Sequence, residues 1–155
     1  MARKKDSVSN RHAILKELSD AMIALNAAKA RLRPSLVRVK SENRRGELDQ
    51  VEESLEKAEY LLDKLSLRLN TLIVSGVLDW KSLALIREVM KRLTSLAVVD
   101  PSIMSYISRA DDLIAKAWGD FDIPQEPGAS DLVTINDEVK KILDEAERAV
   151  KSRRA

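Results

Sequence analysis

Four carboxylates, Glu52, Glu56, Glu59 and Asp63, fall at steps of four, three and four, which places them along one edge of a helix beside its apolar seam. An acidic edge of that kind suits divalent ions or a basic partner. It equally suits a solvated helix face whose charges pair four residues away. A basic counterpart precedes it: Arg31, Arg38 and Arg45 recur every seven residues, as do Arg33 and Lys40. Two opposite edges on one rod invite side-by-side stacking of copies, each exposed pair adding about 0.2–1 kcal/mol and weakening with salt. Within one monomer the same edges suit each other just as well. Neither edge breaks bonds. His12 is the only histidine and cysteine is absent, so no di-iron pair, zinc set, catalytic triad or thiol nucleophile can be assembled. Four scattered glycines supply no phosphate-cradling loop. The expectation is a protein without catalytic residues, metal or cofactor.

The charge is distributed as a dipole. Up to Arg45 there are 12 Lys/Arg against 4 Asp/Glu, and beyond it 15 against 21, so the overall +2 conceals a basic first part and an acidic body. Such a basic helix is suited to an anionic surface or to the acidic face of a neighbour. Nucleic acid is not an expected partner, because aromatic residues are 3% of the chain and do not interleave with the basic ones. The lack of cysteine makes a reducing cytoplasm the default compartment. The start, through Arg3-Lys4-Lys5, has the charge of a signal peptide without an apolar stretch behind it. No apolar run reaches membrane-spanning length, so membrane contact is expected to be peripheral.

These side chains are positioned by helices. Leu15, Leu18, Met22, Leu25, Leu32, Leu36 and Val39 alternate steps of three and four, with Lys29 at the one expected site that is not apolar. A second series, Leu48, Val51, Leu55, Ala58, Leu62, Leu65, Leu69 and Leu72, keeps the same step. The short polar segment from Ser41 to Gly46 forces the two helices into an antiparallel hairpin, an elongated rod. Pro34 either bends the first helix or breaks it in two. Gly76 ends the second helix, and Asp79 is an N-cap for a third, Trp80 to about Val98, with Leu83, Ile86, Met90 and Leu93 inward. Asp100-Pro101 opens a fourth, to about Trp118, with Ile103, Ile107, Ala110, Ile114 and Ala117 inward. From Gly119 to Asp131 there is no period and there are two prolines, a linker. Thr134 with Asp137 resembles a capping box for a last helix, whose stripe is Ile135, Val139, Ile142, Ala146 and Val150. The expected fold is therefore all-α: a long antiparallel hairpin of the first two helices, two shorter helices, and a linker-tethered amphipathic fifth. The divisions are a basic tail, 1–8; a helical core, 9–118, with the hairpin at 9–75 and the shorter pair at 79–118; a linker, 119–133; and a closing helix, 134–152.

The stretch from Glu56 to Gly76, with Leu65-x-Leu67-Arg68-Leu69-x-Thr71-Leu72 before the glycine, resembles helix 2 of the archaeal ESCRT-III-like cell-division proteins of the CdvB type. Val98 to Ile107 is similar to the family's approach to helix 4, and Asn136 to Ala146 to its closing helix. The resemblance covers Ser9 to Ala149. It implies a non-enzymatic, polymer-forming protein that assembles on anionic membrane, remodels it in division or budding, and is dismantled by a partner AAA ATPase. It further implies co-assembly with paralogues and location at a division site. Arg3, Lys4, Lys5, Arg11 and Lys16 are then the membrane-binding candidates, Gly76 the hinge, and the last helix the element that keeps the monomer closed. Ile123, Pro124 and Pro127 loosely resemble the family's ATPase-docking segment, and a downstream extension seen in some relatives is not expected. The competing reading is a soluble helical adaptor that binds a protein partner through its hairpin.

Overall fold

The computed structural model describes residues 3–76, 80–96, 101–119 and 129–154. Among them lie five helices and no strand: α1 (Arg3–Glu42), α2 (Asp49–Ser75), α3 (Trp80–Leu96), α4 (Pro101–Gly119) and α5 (Ala129–Arg154). At about 1.5 Å per residue, the 40 residues of α1 span about 60 Å and the 27 of α2 about 40 Å. The first two helices form the hairpin that the twin heptad series predicts.

The hairpin does not stand alone as a rod. α1 packs against α2 and along α4, α2 also against α3, and α3 against α4, so four helices close a ring around one core. Two neighbours require a wide apolar stripe on α1. Beside Leu18, Leu25, Leu32, Leu36 and Val39, the structure buries Ile14, Ala21, Ala24 and Ala28, while Leu15 and Met22 from the predicted seam are only half-buried. Alanine at those positions lets a neighbouring backbone approach closely, because interaxial distance follows the size of the side chains at the contact. Leu55, Leu61, Leu62, Leu65 and Leu69 of α2 are at most 1% exposed. Each stabilises the fold by about 1.5–3 kcal/mol relative to an exposed leucine.

Every inward position predicted for α3, α4 and α5 is buried. The fifth helix lies outside the ring, against α2 and α3, and its described backbone approaches neither α1 nor α4. It starts at Ala129 rather than at Thr134, so the predicted capping box sits within its second turn.

Pro34 does not divide α1, which runs unbroken through it. Proline leaves the carbonyl four residues earlier, that of Ala30, without its helical donor. Both Ala30 and Pro34 are exposed, so that carbonyl faces water and carries no burial penalty. One residue on, the Ser35 hydroxyl donates to the Arg31 carbonyl at 3.4 Å. The turn closing the hairpin is clasped by Asn43, whose Nδ2 donates to Asp49 Oδ1 at 2.7 Å and whose Oδ1 accepts the Leu48 N–H at 2.9 Å. Gly46, at φ 77°, supplies the left-handed residue there.

Candidate functional site

The acidic and basic edges meet each other inside the monomer. The Lys29 ammonium lies 2.6 Å from Asp63, the Arg33 guanidinium donates to Glu59 at 2.9 Å, and Lys40 lies 4.0 Å from Glu56. The rungs run up the α1–α2 junction. Glu56 is almost wholly buried and Glu59 mostly so, whereas Arg33 and Lys40 remain largely exposed. Three of the four predicted carboxylates are thus engaged in cis, and the fourth, Glu52, is half-buried near the turn. The remaining basic-edge residues, Arg31, Arg38 and Arg45, are exposed and make no ion pair among the described residues. Arg45 also leaves α1 altogether. The Asn43 clasp ends the helix at Glu42, so Arg45 belongs to the turn.

Of the five predicted membrane-binding residues, Arg11 has another task. Its Nη2 donates to the carbonyl of Gly76 at 2.6 Å, tying the start of α1 to the end of α2. Gly76 caps α2 in the left-handed conformation, φ 66°, and its N–H reaches the Leu72 carbonyl at 3.0 Å. The hinge predicted at this glycine therefore coincides with a genuine backbone special. Lys16 is exposed, and Arg3, Lys4 and Lys5 belong to the first turns of α1, where their side chains lie outside the described part. Ile123, Pro124 and Pro127 also lie outside the described residues. At the opposite flank of α1, Lys116 of α4 sits 3.8 Å from Glu17, whose side chain is 9% exposed.

Two pairs of apolar side chains are exposed at positions to which the sequence reading gives no surface role, Leu67 entering only as part of the family motif. Ile23 and Val37 on α1 are 67% and 61% exposed; Leu67 and Val74 on α2 are 61% and 76% exposed. The signal was present: each pair is spaced by a multiple of seven, out of phase with the seam of its own helix. His12 is exposed, and no group of three metal-ligating side chains occurs among the described residues. No described helix is long and apolar enough to cross a membrane. What the arrangement can do is bind, through charge and apolar surface on the outside of a hairpin. Comparison with protein-family models, with curated proteins and with solved structures returned no match.

Proposed function

We propose that this chain is a non-enzymatic, polymer-forming protein that assembles on anionic membrane and remodels it, in cell division or vesicle budding. The observation that supports this reading best is the position of α5. Four helices close a ring without it, and α5 lies across α2 and α3 alone, adding Ile135, Val139, Ile142 and Ala146 to the apolar cluster from outside that ring, with α2 ending at a left-handed glycine. An element that touches only two of the four ring helices is suited to docking and release, which a subunit that switches between monomer and polymer requires. The same features support the resemblance to ESCRT-III-like proteins of the CdvB type, and with it the proposal of an AAA ATPase and of paralogous subunits as partners.

Negative-stain electron microscopy of the full chain with anionic vesicles at low salt tests the proposal. Regular filaments, rings or coated tubules are the expected result. Bare vesicles beside small uniform particles would reject it in favour of a soluble adaptor. That alternative is favoured by Leu67 and Val74, whose heptad spacing on the outside of α2 suits a partner helix, and it calls for a fixed oligomer that ignores salt.

A further inference from the structure

The intramolecular ladder changes which part of α1 is available to a partner. From Ala21 to Ser41 the helix carries five Lys/Arg and no Asp/Glu. Lys29, Arg33 and Lys40, on the flank towards α2, are matched by Asp63, Glu59 and Glu56. Arg31 and Arg38, on the other flank, have no such match among the described residues. Between the flanks, facing straight away from the core, stand Ile23, Ala30 and Val37 at steps of seven, all exposed. A row of exposed apolar side chains with uncompensated arginines along one flank suits a helix lying in a lipid interface, with its apolar side chains at the acyl boundary and its arginines among the headgroup phosphates.

We infer that the middle of α1, through Ile23 and Val37 with Arg31 and Arg38, is the surface that seats on anionic bilayer. The inference rests on the membrane reading above and moves the contact from the basic start of α1 to its central turns. Charge complementarity selects the occupant: a zwitterionic surface has no net negative charge to attract the two arginines, and an apolar protein groove would have to desolvate both. Pro34 fits the same face. Its missing N–H leaves the Ala30 carbonyl facing outward at the edge of the stripe, where interfacial water satisfies it.

The absence of cysteine makes the test direct, since one introduced thiol carries one label. The full chain is made as Ile23→Cys, as Val37→Cys and as Ser108→Cys, the last on an exposed position of α4, and each is labelled with a polarity-sensitive fluorophore. With phosphatidylcholine vesicles containing phosphatidylserine, the probes at 23 and 37 should brighten and shift to the blue while the probe at 108 does not. Phosphatidylcholine alone should leave all three unchanged. Replacing Arg31→Gln and Arg38→Gln together should weaken vesicle partition about 25-fold, about fivefold for each arginine. Both side chains are exposed and outside the ladder, so folding, checked by circular dichroism, should be retained. Vesicle binding with silent probes at 23 and 37 would overturn this inference and leave the membrane reading standing. No binding at all would remove both. A blue shift that depends on protein concentration and not on lipid would assign the face to self-association.

Discussion

Replacing Gly76→Ala probes the joint between α2 and α3, and the sign of its effect is informative. At φ 66° an L-residue with a Cβ costs about 1–2 kcal/mol relative to glycine. The added carbon would lie 2.7 Å from Arg11 Nη2, closer than a real contact allows. The guanidinium is the end of a flexible side chain and moves away, weakening its bond to the Gly76 carbonyl. That bond is charged but solvent-exposed, so its loss adds about 1 kcal/mol. The expected total is a destabilisation of about 2–3 kcal/mol, read as a lower urea midpoint at unchanged slope. In an Arg11→Ala background the same substitution should cost only the backbone part, about 1–2 kcal/mol, and the difference measures the coupling. Gly76→Asn should fall between glycine and alanine, because asparagine tolerates the left-handed region better. If Gly76 were instead an ordinary helical residue, alanine would stabilise by about 0.5–1 kcal/mol. A raised midpoint would therefore refute the capped joint and the latch together.

Ser66 is 7% exposed and its hydroxyl has no hydrogen-bond partner among the described residues, so Ser66→Ala should be neutral or stabilise by up to about 1 kcal/mol; thermal unfolding showing a clear loss would mean that the hydroxyl has a partner in solution. A double-mutant cycle on Arg33 and Glu59 should give a coupling of about 0.3–1 kcal/mol that shrinks in high salt, since Arg33 is 72% exposed; a coupling indifferent to salt would contradict a screened surface pair. Ile142→Ala should cost about 2–4 kcal/mol, expressed as faster amide exchange in α5 and in the faces of α2 and α3 beneath it. Equal acceleration in α1 would show that α5 is integral to the core rather than laid upon it.

The helices were legible because leucine at heptad spacing has one dominant explanation, and Leu18, Leu25, Leu32, Leu62, Leu65 and Leu69 are buried as that spacing predicts. The companion of α1 was not. The second neighbour of α1 needs a wider buried stripe, which includes Ala21, Ala24 and Ala28, and alanine suits a buried groove and an exposed helix face alike. The carboxylate edge was recognised as an edge, yet sequence spacing fixes positions on a single helix and says nothing of what stands opposite. Antiparallel pairing placed Lys29 and Arg33 there, turning surfaces suited to trans contacts into cis ones. Lys29, the one interruption of the first seam, is explained the same way. Arg11 reads from sequence only as a membrane-binding candidate, because nothing local relates it to a carbonyl 65 residues away.

The ladder also settles a question that leucines leave ambiguous. Two heptad seams resemble two rulers with identical marks, and sliding one past the other by seven residues realigns nearly all the apolar contacts. Sliding α2 so that Arg33 faces Ser66 and Lys29 faces Asn70 strands both cations opposite uncharged side chains and leaves only Lys40 opposite a carboxylate, Asp63. Sliding it the other way brings Arg33 to Glu52, Lys29 to Glu56 and Lys40 to Asp49, so the charges still agree. That second slip instead consumes the turn, pulling Asp49 from Asn43 and undoing the clasp on the Leu48 N–H. One error loses two of the three ion pairs, and the other is opposed by the geometry of six residues between the helices, 43–48. The hairpin thus carries its own alignment key, and a newly made chain can find its register before α3, α4 or α5 has been added.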